Sequence, residues 1–406
     1  MHDAVPMPAL SCLLNPEVMA DPHPVLHRLR AEAPVYRDGF LQGWVVTRYA
    51  DCTALLPDPR LRAFRSMSPE RAVELGLEEL LPYYRLIQAE LFFHDPPHQT
   101  RLRRMVSGVF SPQRIEAMRA SVRRLVDELI DAVAGAGSMD VVRDLSYPLP
   151  ARVIARLLGI PDEDVPRFRR WADDAAPLLN VTPPPAAEVP RLAQSGRAYT
   201  EYFRALIAER RARPEGDLLS ALIGVEDAGY HLSEEDLIGN AFGLLFAGHE
   251  TSSGLVASSV LSLLRAPSEL ARLRADPALM PTAVEELLRH QTPAIFTARL
   301  AAEDIAIGGQ TIRSGEPVYL MLTAANRDPA QFPDPDRLDV GRADNRHIAF
   351  GYSHHYCLGA YLARVELQSV LEAILRRLPD LRLGDAPPEW AQSFPMRTLK
   401  SLPVVF

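Results

Sequence analysis

The sequence predicts a mainly α fold with a minor β part, formed as one domain over residues 1–406. Three observations carry that expectation. Between Asp95 and His290 the apolar residues keep a helical period, broken only at prolines and glycines. One segment, Ser233–Arg265, is apolar on nearly every face, so it must be buried; at 1.5 Å per residue it is roughly 48 Å long and crosses the whole molecule. Strand-like alternation is confined to short stretches, and there is neither an internal repeat nor a linker that would divide the chain.

Composition narrows the class of function. The 406 residues are 47% hydrophobic and carry a net charge of −8, which suits a large core and argues against nucleic acid as a partner. The basic residues are nearly all arginine, Lys400 being the one lysine. Three scattered cysteines, Cys12, Cys52 and Cys357, make no disulfide framework and fit a reducing cytoplasm. No stretch reads as a signal peptide or a membrane span, so a soluble protein is expected.

In chain order, residues 1–20 are punctuated by proline and read as surface wrapping. Pro22–Ala33 is a short helix; Val35–Arg37 and Trp44–Tyr49 are strands about an Asp38-Gly39 turn; Ala50–Leu56 is a helix stopped by Pro57. Residues 58–95 read as irregular, with Phe64, Phe92 and Phe93 scattered through them, and so long a stretch suggests a lid or a binding loop. Helices follow after Asp95-Pro96-Pro97, from Ser111-Pro112 to about Ala134, over Pro150–Leu158, over Asp162–Ala176 and over Glu188–Arg213. The prolines at 183–185 forbid a helix through the 177–190 link, a second lid candidate. Asp217 caps a short helix, and Ser233 with Asp236 opens the long one. Two more helices end near His290. Residues 299–323 alternate as strands around Gly308-Gly309, residues 324–345 are rich in proline and aspartate, and the last 25 residues are short strands and turns.

The chemistry gathers at RHIAFGYSHHYCLGAYLAR, residues 346–364. After Gly359 a helical apolar period runs to Pro379, so Cys357 stands just before a helix N-terminus, where the macrodipole and free N–H groups favour a thiolate. A thiolate ligates soft and borderline metals. Taken alone, Cys357 could equally be a small buried hydrophobe, or could begin a zinc site with His354 and His355, although no second ligand pair supports one. The whole pattern F-G-x-x-x-H-x-C-L-G, carried by Phe350, Gly351, His355, Cys357, Leu358 and Gly359, resembles the haem-binding loop of the cytochrome P-450 family. The family has glycine where this chain has Ser353.

That resemblance implies a fold in which haem b lies between the long central helix and the helix after the cysteine, with Cys357 as axial thiolate and Phe350, Gly351, His355 and Gly359 around it. Ala247-Gly248-His249-Glu250-Thr251, in the middle of the long helix, resembles the family's oxygen-activating motif, in which Glu250 and Thr251 would deliver protons. By itself Thr251 would simply bond back to the Ala247 carbonyl. Helical spacing puts Gly243, Ala247 and Thr251 on one face. Glu286 and Arg289 are an ordinary i, i+3 pair in isolation; beside Asp334-Pro335-Asp336-Arg337 they resemble the family's Glu-x-x-Arg pair, with Arg337 as the later arginine and Glu285 as a competitor for Arg289. DPPHQTRLRR resembles the segment that meets the haem propionates, making Gln99 and Arg103 candidates together with Arg299 and His355; singly, each reads equally as a solvated polar group.

The function implied is a soluble bacterial-type monooxygenase that inserts one oxygen atom of O₂ into a medium-sized lipophilic substrate. It would act as a cytoplasmic monomer, with a separate ferredoxin and ferredoxin reductase supplying electrons. Phe92, Phe93, Leu179, Gly243, Leu244, Ile295 and Met396 are the pocket candidates. A coupling or peroxide-driven oxidase on the same fold, and a haem-binding sensor or carrier, are the alternatives.

Overall fold

A computed structural model describes residues 9–64, 67, 69–179, 183–227, 229–391 and 394–406. The long helix forms over Glu234–Arg265. Its start is fixed by a capping box: Ser233 Oγ accepts from the Asp236 N–H and Asp236 returns the bond to the Ser233 N–H, both at 3.0 Å. A cap of this kind is worth about 1 kcal/mol. Apolar residues on all its faces let it pack against Pro148–Leu157, Leu81–Gln88, Val165–Leu179, Val189–Ala212 and the Ala360–Arg377 helix that follows the cysteine. A central apolar rod has no other way to leave water.

The helix Pro112–Ala134 lies along Ala360–Arg377, joined by Arg119–Gln368, Arg123–Glu372 and Arg376–Asp127 contacts at their exposed edge. Ser111 caps its start by accepting from the Arg114 N–H, and the observed helix has the bounds that the sequence predicts. A five-stranded sheet runs in the order Val35–Asp38, Gly43–Val46, Pro317–Leu320, Thr297–Ala301, Leu61–Ala63. Only the pairing of Gly43–Val46 with Pro317–Leu320 is parallel. A small apolar cluster, including Val46, Leu320 and Ile348, fills the space beside it; the main core surrounds the long helix. No helix among the described residues is long and apolar enough to cross a membrane.

Two expectations change. The stretch 58–95 is not irregular: it holds a strand at Leu61–Ala63, helices at Pro69–Glu74 and Leu81–Gln88, and single turns at Glu78–Leu80 and Leu91–Phe93. The Leu81–Gln88 helix buries Tyr83, Tyr84, Leu86 and Ile87 against its neighbours, a tertiary gain that a local period over eight residues does not announce. In the 177–190 link the helix runs through Pro177 to Leu179, where the missing Pro177 N–H leaves the Asp173 carbonyl without its helical bond; residues 180–182 lie outside the described residues.

Glu366, on the helix after the cysteine, is fully buried against the long helix and neither of its oxygens makes a hydrogen bond. Burial pushes its carboxyl up to about 8, with Ser252 pulling weakly the other way. The unfolded chain releases this proton near 4.5 and the folded chain keeps it to about 8. Stability therefore falls as pH rises through that window. Glu366→Gln is expected to match wild type at about pH 5 and to gain on it by several degrees in Tm at about pH 8. Parallel melting curves at both pH values would show no interaction if the carboxyl titrates normally.

Candidate active site

The cysteine loop is held by its own backbone and by the segment before it. The Cys357 N–H donates to the Phe350 carbonyl at 2.8 Å, and Gly351 N–H to Ile348 O at 2.9 Å. Gly351 and Ser353 both take positive φ, 69° and 62°. Serine thus adopts the conformation for which the family uses glycine, at a cost of roughly 1 kcal/mol in local backbone energy. The helix begins at Ala360, three residues after the cysteine.

Cys357 keeps accessible surface although protein surrounds it, as a residue lining a recess in the fold does. The expected thiolate does not form on helix position alone. Burial pushes the thiol up, and the Gly359 N–H, Arg103 and Arg364 pull it down without prevailing. The desolvation cost of an anion exceeds what one helix end returns; a bound metal cation would reverse the balance.

On the long helix Ala247 is exposed and Phe246, Gly248, Glu250 and Thr251 are half-buried, with Gly243 and Thr251 one turn to either side of Ala247 on the same face. The Thr251 hydroxyl donates to the Ala247 carbonyl at 2.6 Å, leaving its oxygen as an acceptor. Glu250 is half-buried beside it. Gly248 lies close under Ile154: a Cβ there would be 2.9 Å from Ile154 Cδ1, so that side chain would have to shift. His249 points away from this face and donates from Nε2 to the Tyr147 carbonyl at 3.0 Å, tying the helix to its neighbour.

The proposed propionate partners are brought together, with one change of role. Gln99 is buried and its Nε2 donates to the His354 carbonyl at 2.6 Å, so it braces the loop and commits one of its two amide N–H groups there. Arg103 makes no ion pair among the described residues, and burial lowers its guanidinium against the pull of Cys357 and Tyr356. Arg299, 2% exposed, donates only to Thr297 Oγ1 and the Ala298 carbonyl; burial takes it down to about 10, with Asp95 opposing. His355 has a buried Nε2 without a partner and is driven down to about 3 by burial, then by Arg299, His354 and Arg103. The Phe92 ring, 40% exposed, stands 5.9 Å from the His355 ring and 5.8 Å from the Arg299 guanidinium. Two cations and an unpartnered imidazole, walled by an exposed ring and facing a cysteine, suit a planar metal complex bearing carboxylates.

Of the pocket candidates, Phe93 and Ile295 are buried, and Leu244 and Met396 are half-buried. Met396 bridges to Ala294 next to Ile295. Gly243 is covered by Glu90. The side chain of Leu179 lies outside the described residues.

The arginine assignment is corrected. Glu286 and Arg289 form a fully buried pair, Nε to Oε2 at 2.7 Å and Nη2 to Oε1 at 2.8 Å. Their third member is Arg342, whose Nε lies 3.1 Å from Glu286 Oε2. Arg337 offers only its carbonyl, to Arg289 at 3.4 Å and Arg342 at 3.3 Å; its side chain is exposed. Glu285 does not compete for Arg289. It takes Arg364 at 2.6 Å and His347 at 3.1 Å, and although burial pushes it up, these partners bring it down to about 2. Arg364 in turn lies 4.7 Å over the Phe350 ring. Sequence reasoning missed Arg342 and Arg364; an Arg-x-x-x-Arg repeat at 342 and 346, in a segment with no periodicity, was the available signal for the first.

The cytochrome P450 family model matches residues 80–380. The biotin biosynthesis cytochrome P450 of Bacillus subtilis is 38% identical over 412 residues, covering 98% of this chain and 100% of its own. The mycinamicin IV hydroxylase/epoxidase of Micromonospora griseorubida is 41% identical over 370 residues, covering 90% of each. Among solved structures, a myxobacterial cytochrome P450, CYP267B1, in complex with myristic acid superposes with a TM-score of 0.89 at 41% identity, over 98% of this chain and 99% of that one. The chain therefore belongs to the cytochrome P450 family. It is a P450 monooxygenase, and the family implies a haem-thiolate cofactor, a lipophilic substrate and redox partners.

Removing Arg342 takes charge-assisted bonds from a buried glutamate, whereas removing the Arg337 side chain takes none. Arg342→Ala is expected to lower unfolding stability by ~2 kcal/mol and to weaken haem retention, with Arg337→Ala within ~0.5 kcal/mol of wild type. Denaturant unfolding of both holoproteins decides; equal losses would return the role to Arg337.

Proposed function

We propose that this monooxygenase holds haem b through Cys357, with Arg103, Arg299 and His355 binding the propionates, and hydroxylates or epoxidises a medium-sized lipophilic natural product. The carrying observation is Cys357 just before a helix with Arg103 near its sulfur and Arg299 and His355 close by, none of these three having a carboxylate partner among the described residues. When bound, the haem supplies O₂ activation, and a thiolate ligand favours O–O cleavage.

The chain's own residues have definable tasks. Phe350 and Arg364 pack on the loop and hold Cys357 in place. Arg103 and Arg364 place positive charge near the sulfur and moderate its donation. The Thr251 oxygen can accept a hydrogen bond from a water in the cavity; rotating its hydroxyl off the Ala247 carbonyl lets it donate and pass a proton on. Glu250 supplies that proton from the adjacent position. Ferredoxin and its reductase supply the electrons, and the free cysteines suit the reducing cytoplasm in which such carriers work. The hydroxylase/epoxidase among the relatives supports the reaction type, and the myristate complex supports a lipophilic substrate.

Two measurements test this. Reduced holoprotein with CO is expected to give the strongly red-shifted Soret band of thiolate ligation, lost in Cys357→His; an imidazole-type spectrum in wild type would remove Cys357 as ligand. Thr251→Ala is expected to leave haem content and ligand binding intact while raising the fraction of electrons lost to peroxide several-fold. Unchanged coupling would take the proton role from Thr251.

A further inference from the structure

Glu90 sits where the segment before Phe92 crosses the long helix. It lies against Gly243, and a Cβ on that glycine would be 2.6 Å from Glu90 Oε1 and closer still to Cγ and Cδ. Glycine at 243 is therefore what makes room for the carboxyl. Gly243 is on the same face as Ala247 and Thr251, so Glu90 stands at one end of the stripe that looks into the cavity, roughly 12 Å along the helix from Thr251. Its position is fixed by backbone bonds. Its own N–H donates to Ile87 O, its carbonyl accepts from Phe93 N, and the next N–H, of Leu91, donates to Asn240 Oδ1 at 3.3 Å.

The carboxyl is partly accessible and has no hydrogen-bond or ion-pair partner among the described residues. The Tyr199 hydroxyl, buried and without a partner among the described residues, is close enough to feel the Glu90 charge. Enclosure alone pushes the Glu90 carboxyl up to about 8. A carboxyl placed in an apolar pocket without a cation is unfavourable unless something that enters completes it.

The geometry points to Glu90 as a substrate-binding carboxylate that takes a basic nitrogen: the substrate class is a lipophilic amine whose ammonium lies about two helical turns from the carbon oxidised, and a free carboxylate is rejected. This rests on the reading of the cavity between Thr251 and Cys357 as the substrate pocket.

The test uses haem-loaded protein and three ligands with one C14 chain: tetradecyldimethylamine, which is protonated at neutral pH and so carries one N–H and no free lone pair for iron; tetradecanol; and myristate. Affinities are read from the Soret shift and, independently of the haem spectrum, by equilibrium dialysis. Wild type is expected to bind the cation at least about 10-fold more tightly than the anion, the equivalent of ~1.4 kcal/mol. Glu90→Gln, an isosteric change, is expected to abolish that preference while leaving tetradecanol within about two-fold. Gly243→Ala, whose methyl displaces the carboxyl, is expected to act in the same direction. If tetradecanol binds but cation and anion bind alike in wild type, or the preference survives Glu90→Gln, the assignment of Glu90 is wrong and the pocket stands. If no C14 ligand perturbs the haem or binds in dialysis, the pocket itself is misplaced.

Discussion

Glu286 is the group on which the haem-side architecture depends. It is a carboxylate with no exposure at all, and a buried ion in that position costs several kcal/mol unless each oxygen is bonded. Here Oε1 accepts from Arg289, Arg342 and the Asp339 N–H, and Oε2 from Arg289, Arg342 and Asn345. The two arginines then spend their remaining donors on carbonyls of the irregular chain: Asn326 and Pro335 from Arg289, Pro333 and Asp334 from Arg342. Residues 333–345 have no helix or strand to satisfy their backbone, so this hub does it for them. The consequence for function is positional. The same segment delivers the chain to Ile348, whose N–H is held by Asn326 Oδ1 at 2.8 Å, two residues before the loop that presents Cys357.

Glu285, the adjacent residue, serves the other side of the same task. Successive residues on a helix point about 100° apart, so two neighbouring glutamates reach different partners. Glu286 turns into the hub, while Glu285 turns to Arg364 and His347 and thereby clamps the start of the cysteine helix to the segment before the loop. Arg364 also accepts the Phe350 ring beneath its guanidinium and donates to the Ala360 carbonyl. Rigid support from two directions is what the proposed role of Cys357 as a metal ligand would require.

What the sequence made legible was what local pattern controls. The helix Pro112–Ala134 and the long helix Glu234–Arg265 carry their caps beside them, at Ser111 and Ser233, and a periodic face throughout. The cysteine loop is a contiguous motif. What was not legible depends on distant chain. Arg342 and Arg337 lie five residues apart in a segment without period, and only packing decides which side chain turns inward. Helix Leu81–Gln88 exists because Tyr83 meets Phe242 and Leu86 lies over Gly239, neither of which its own eight residues announce. The role of Gln99 likewise depends on a carbonyl 255 positions away.

The electrostatics of the cavity are consistent with folding around a ligand of a particular charge pattern. Burial raises the Cys357 thiol and lowers Arg299 and His355, so each group is moved toward its neutral form. A metal cation beside the sulfur and carboxylates beside the cations oppose all three shifts at once. Such a ligand binds the folded chain and not the unfolded one, so its affinity adds to stability by mass action. The shifts also explain why these residues sit together at some cost to the bare fold. A site with its charges already paired by protein would be more stable alone and would have less to offer a dicarboxylate metal complex. Glu366, protonated and unpaired on the far side of the same helix, is the exception: it carries no complementary group, and Ser252 compensates it only weakly. The proposed cofactor site would account for the unpaired Arg103 and Arg299 near Cys357, and it would not account for Glu366.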